Sequence, residues 1–146
     1  MQQLVVREGD VLLPLAPITA GPVAGTMIPR PVQLPGSAGF LIEGHTACVP
    51  SDIEGLVVPG IGYSAAPFAG GLGEIRFRVP RQNRARYART RNGTEVVVDG
   101  GLLELTFKPT APATDPSGGK DPTSEYAGTA RLTCVRARPV TAGPAA

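Results

Sequence analysis

The chain has 146 residues, a formal net charge of +2, 42% hydrophobic residues and only 18% charged ones, which is the size of one ordinary domain with a real core. Gly 19 and Pro 16 make up about a quarter of it, roughly twice average usage, and this excludes long helices because no dozen helical positions are left clear. The glycines keep no three-residue period, which excludes collagen. Hydrophobic content with almost no net charge excludes disorder.

The expected fold is all-β: a compact single domain of many short strands and turns, cone-like or a small barrel or sandwich, over residues 1–140. Residues 141–146 read as a flexible C-terminal tail. Gln3 to Val6 and Val11 to Leu15 flank a turn at Gly9. Val11 to Pro29 carries no charge over 19 residues, but Pro14, Pro17, Pro22 and Pro29 interrupt it, so it would strand backbone groups in lipid. Glu8 and Asp10 stand where a signal peptide would be cationic. The chain is therefore read as made in the cytoplasm, with no signal peptide.

Phe40 to Ile42 and Thr46 to Val49 flank Gly44, and Leu56 to Val58 precedes a turn at Pro59-Gly60. Gly70-Gly71-Leu72-Gly73 has no helix after it to bind phosphate and reads as a turn between strands. Glu74 to Val79 alternates apolar with charged residues, as Leu103 to Phe107 does. Asn92-Gly93 and Asp99-Gly100 are tight-turn dipeptides, so residues 87–107 read as a three-stranded meander. The one helical candidate is Gln82 to Arg89. Thr110 to Ser124 reads as a surface loop, and Ala130 to Arg136 as the last strand.

Little in the chain looks catalytic, and no catalytic residue is assigned. His45 is the only histidine and Cys48 follows three residues on. As a Cys-His dyad nothing orients them. As metal ligands they supply two of the four that a closed Zn or Fe site needs, the rest coming from Cys134, a carboxylate or another subunit. No cofactor is required. Cys48 and Cys134 read first as two small buried thiols, with a single disulfide as the alternative. Glu43, Asp52 and Glu54 read as a solvated acidic loop.

Arginine supplies 12 of the 14 cations. Arg76, Arg78, Arg81, Arg84, Arg86, Arg89 and Arg91 fall within sixteen residues, either the solvated outer face of a strand pair or a partner-binding surface. Near-neutral total charge and a single aromatic in the cluster, Tyr87, disfavour nucleic acid. Arginine over lysine favours a protein interface, because its planar fork binds carboxylates and stacks.

Val6-Arg7-Glu8-Gly9-Asp10, then Gly39 to Asp52 with its Ala47-Cys48-Val49-Pro50-Ser51-Asp52 run, resembles PAAR-like spike-tip proteins. Gly71 to Ile75 and Asp121 to Gly128 are similar to later parts of such proteins. The Pro-Ala-Ala-Arg motif itself is absent, and His45 and Cys48 are the only counterparts of the family's metal ligands. The resemblance implies a non-enzymatic tip that caps the trimeric spike of a contractile injection machine, in type VI secretion or a phage tail-like particle. It would help penetration, touch the target membrane only transiently, and travel with a toxin or effector. The other reading is a small bacteriophage structural protein, a capsid decoration or tail component.

Overall fold

The computed structural model describes residues 3–39, 41–42, 45–89, 94–134 and 141–142. In chain order the elements are β1 (Gln3–Leu4), β2 (Val11–Pro14), β3 (Pro17–Ala20), β4 (Val23–Met27), β5 (Val32–Gln33), β6 (Leu41–Ile42), β7 (His45–Thr46) and α1 (Pro50–Glu54). Then come β8 (Val57–Ala65), β9 (Phe68–Arg78), a 3-10 turn (Arg81–Asn83), β10 (Arg84–Arg89), β11 (Glu95–Val97), β12 (Leu103–Ala111), β13 (Tyr126–Thr133) and β14 (Thr141–Ala142).

Alternation drives the main sheet: β12 buries Leu103, Leu105 and Phe107 while β9 buries Ile75 and Phe77. Strands with one apolar face must cover it, and here six of them do so by closing on themselves. The order β12-β9-β8-β4-β3-β13 returns to β12 through the β12–β13 ladder, Leu103↔Ala130 to Phe107↔Tyr126. The result is an antiparallel six-stranded barrel with β2 and β5 attached at β13. Antiparallel succession puts three connections, β3–β4, β8–β9 and β12–β13, at one end. The long excursions 28–56 and 79–102 leave from the other.

The lumen is filled by rings. Tyr63, Phe107 and Tyr126 are buried with centroids 4.9, 5.7 and 6.3 Å apart, in the tilted arrangements that aromatic quadrupoles favour. Space for them comes from glycine at inward positions of β9. A Cβ on Gly73 would lie 2.7 Å from the Lys108 carbonyl and run into the Phe107 ring. One on Gly71 would lie 2.6 Å from the Ala113 nitrogen and meet Tyr63. The Gly70 to Gly73 run, expected to be a turn, is thus strand interior: β8 and β9 turn instead at Ala66-Pro67, a cis bond.

At the excursion end sit three two-stranded ribbons, β1–β14, β6–β7 and β10–β11. Segments next to their inner strands exchange backbone hydrogen bonds in a closed ring. The Val6 amide donates to the Val97 carbonyl, the Val97 amide to the Cys48 carbonyl, and the Cys48 amide to the Val6 carbonyl, each at 2.9 Å. Val6, Cys48 and Val97 belong to the main core, whereas Val5, Ala47, Val49, Val96 and Val98 form a second cluster with Ala38 and Ala85. Three chain segments therefore circle one axis between two apolar cores, as a crown on the barrel. The two described residues of the expected tail, Thr141–Ala142, belong to it by pairing with β1.

Other expectations are corrected. The three-stranded meander does not form: β10 and β11 make a hairpin across Asn92-Gly93, whose tip lies outside the described residues, but β12 pairs with β9 and β13 instead. Two barrel neighbours satisfy both edges of β12, where a hairpin with β11 would satisfy one. Gln82 to Arg89 is not helical but a 3-10 turn running into β10. Pro59-Gly60 is a bulge inside β8, with Gly60 at φ 70°, rather than its end. One helical turn was unforeseen: α1 starts on Pro50, and Asp52 accepts from the Val49 amide at 2.9 Å.

Gly73→Ala should cost about 1–3 kcal/mol through overpacking, read as a lowered denaturant midpoint, and Phe107→Leu in the same chain should recover part of the loss. Unchanged stability would mean the rings do not need the glycine.

Candidate interaction surface

The outer wall of β4, β8, β9 and β12 carries the first two arginines. Register sets its rows: Gly62↔Leu72↔Ala111, then Glu74↔Lys108, then Val57↔Arg76↔Thr106, and Arg78↔Glu104 nearest the crown. Ile28 lies over Gly62, its amide donating to the Gly62 carbonyl at 2.8 Å. Ile28, Leu72 and Val57 are 72%, 47% and 41% exposed, so the wall grades from an apolar row into a charged one. Arg76 pairs with the half-buried Glu74 and Arg78 with the exposed Glu104, both at 3.8 Å and with the arginines themselves largely exposed. Such pairs contribute little and leave the guanidinium groups available.

The rest of the cluster divides. Arg81 is exposed on the 3-10 turn. Arg84 is half-buried and turned inward: Nε donates to the Val79 carbonyl at 3.2 Å and Nη2 lies 3.6 Å from Glu54 Oε1. Glu54 Oε2 in turn accepts from the Val79 amide at 3.1 Å. Arg84 therefore ties β10 to the end of β9 and to α1. Arg86 and Arg89 lie on β10 of the crown; their side chains, and all of Arg91, are outside the described residues.

Cys48 has no exposure, and its Sγ donates to the Pro35 carbonyl at 2.9 Å. A thiol donates this bond only while protonated, whereas a metal takes the thiolate, so the two roles compete for the Cys48 sulfur. The His45 side chain lies outside the described residues. Among the described residues no group of three or more His, Cys, Asp or Glu is placed to hold a metal. No disulfide joins the two cysteines, Cys48 being buried and Cys134 half-buried. Asp52 is not solvated-loop charge: besides capping α1, it accepts from the Ser37 amide and hydroxyl at 3.0 and 2.7 Å.

At the tight-turn end a carboxylate that composition did not single out organises the lumen. Asp121 is buried; Oδ2 accepts from Tyr126 at 2.6 Å and Tyr63 at 2.9 Å, and Oδ1 from the Thr123 amide at 3.0 Å. The Tyr63 hydroxyl accepts from the Ala113 amide at 3.0 Å. Burial pushes the Asp121 carboxyl up, but the bonds from Tyr126, Thr123 and Tyr63 outweigh it and hold it below its ordinary value. Burial first, and the Asp121 bond second, push the Tyr126 hydroxyl up to about 12. The Tyr63 hydroxyl is raised by burial as well.

A closed barrel with a three-ribbon crown, whose described carboxylates largely serve internal bonds, is a structural β module. The chain belongs to the family of contractile injection system spike tip proteins, whose family model matches residues 1–143. No curated protein matches. The family is structural and associates with other structural subunits of the injection system, which selects the spike-tip reading over capsid decoration.

An unfolded tyrosine ionises near 10, so the contribution of Tyr126 is complete below pH 10 and is lost as pH rises toward 12. A thermal melt followed from pH 9 to 12 should fall along this range, and Tyr126→Phe should flatten the fall.

Proposed function

We propose that this protein caps the trimeric spike of a contractile injection particle, crown toward the spike. The observation that carries this is the closed ring of three backbone hydrogen bonds through Val6, Cys48 and Val97 with its three ribbons. A single chain can sit on a threefold axis only by presenting roughly equivalent features to each subunit, and three ribbons around one axis do that. The barrel then points away from the spike as the leading body. Its narrow glycine-lined lumen and proline-bearing turns, Gly21-Pro22 and Ala66-Pro67, make that body rigid.

The arginines supply the attachment. Arg86 and Arg89 lie on the β10–β11 ribbon, with Arg81 at its base. Acidic side chains on the spike would pair with them, orienting the encounter and making it salt-sensitive. In this role the chain is non-enzymatic, is made in the cytoplasm before assembly, and requires no metal. It aids penetration and carries an effector as a passive leading cap.

Native mass spectrometry with the spike protein from the same particle should show one chain per three spike subunits; three chains per trimer, or no complex, overturns the reading. Arg86→Glu with Arg89→Glu should weaken binding about tenfold or more without moving the thermal melt. Arg84→Ala should lower the melt, since it removes an internal tie. Elemental analysis should find less than one metal ion per three chains; a stoichiometric metal would make His45 a ligand and overturn the metal-free role.

A further inference from the structure

The crown accounts for attachment to the spike, and Arg86 and Arg89 of β10 belong with it. The apolar row on the barrel wall lies elsewhere. At about 3.3 Å per residue, Leu72 is roughly 13 Å up the strand from Arg76, toward the tight-turn end. Among the described residues, two exposed large hydrophobic side chains, Ile28 and Leu72, meet at Gly62 in this row, and a third, Val57, lies farther down the same wall beside Arg76. Such clustering marks an interaction surface, whereas scattered exposed residues do not.

Ile28 is built as an anchor. Its amide is bonded to Gly62, its side chain rests where Gly62 has no Cβ, and Arg30 two residues on donates to the Pro59 carbonyl at 2.6 Å. The segment is therefore held and the side chain loses little freedom when it is covered. Beside it opens a pocket of about 240 Å³ lined by Thr26, Gly62, Ser64, Gly70 and Gly71. A fixed apolar projection next to a recess, flanked by charges, is the arrangement of a binding hot spot.

We propose that this wall is a second docking surface, for a polypeptide other than the spike that brings an apolar side chain to the pocket and carboxylates to Arg76 and Arg78. Charge decides the occupant. The wall holds Arg76, Arg78 and Lys108 against Glu74 and Glu104, so its complement is acidic. A second copy of this chain is a poor fit. A twofold axis through the apolar row would lay the arginines of each copy over the uncharged Ser64 and Gly70 end of the other. The partner is thus a different chain, apolar at its centre and acidic to one side.

Replacing Leu72 with a photo-crosslinking amino acid in the assembled particle, with Thr19 on β3 as the comparison position, tests this. Irradiation should join the Leu72 position to one non-spike polypeptide, with the attached peptide rich in Asp and Glu, and the Thr19 position to none. Arg76→Glu with Arg78→Glu should cut the yield about tenfold, as should Ile28→Ser. Cross-links to the spike, to a second copy of this chain, or to nothing would each overturn the proposal. Failure of the chain to enter the particle would instead overturn the capping role above.

Discussion

A six-stranded barrel has almost no lumen. Eight strands leave an interior just wide enough for side chains to fill, and six leave less. Three large rings nevertheless occupy this one, and they fit because β9 contributes no side chain at Gly71 and Gly73. Much follows from that packing. Two of the rings are tyrosines whose buried hydroxyls need partners. Asp121 serves both, and it comes from the loop between β12 and β13. The loop must then fold back over the barrel end. Ala69 and Thr114 bridge it to the hairpin, and Asp115 Oδ1 turns it by accepting from the Ser117 and Gly119 amides.

The opposite end is closed by a different device with the same logic. Val5-Val6 and Val96-Val97-Val98 are unbroken apolar runs, which in an ordinary half-exposed strand would be wasteful. Here they are required, because residues of one run face the barrel core and their neighbours face the cluster between the ribbons. Strands covered on both sides lose the alternating pattern. The ring of backbone bonds removes the polar cost of that burial. Asn83 adds to it, its buried amide donating to the Val98 and Gly101 carbonyls at 3.2 and 3.1 Å. Crown and barrel are thus joined through shared core residues, Val6, Cys48 and Val97, rather than by a linker.

This explains which features could be read from the residues alone. All-β character, the alternating segments of β9 and β12, and the turn at Gly9 follow from local rules, and they are present. The Ala47 to Asp52 run that carries the family resemblance has a local meaning too: Pro50 opens a helical turn and Asp52 caps it. Closure was not legible, because the strands that seal the barrel, β12 with β13 and β3 with β13, are chosen by the whole set of inward faces. The Gly70 to Gly73 run misleads for the same reason. Glycine signals a turn locally, and only Phe107 and Tyr63, brought in by closure, show that it signals a missing side chain. The arginine cluster looked like one surface in sequence, yet the chain leaves the barrel at Val79 and re-enters the crown at β10, dividing it among a wall, a tie and a ribbon.

That division bears on how a small tip could serve two neighbours. Arg84 is committed to Glu54 and Val79, so it fixes the angle at which β10 leaves the barrel. The ribbon carrying Arg86 and Arg89 and the wall carrying Arg76 and Arg78 are thereby held in a set relation. If both surfaces are used, force from the spike reaches the wall through Val6, Cys48 and Val97, a dry packed core of low compressibility. A flexible hinge at Val79 would dissipate it. The absence of exposure at all three ring residues and the Arg84 tie are what make the barrel and crown a single body.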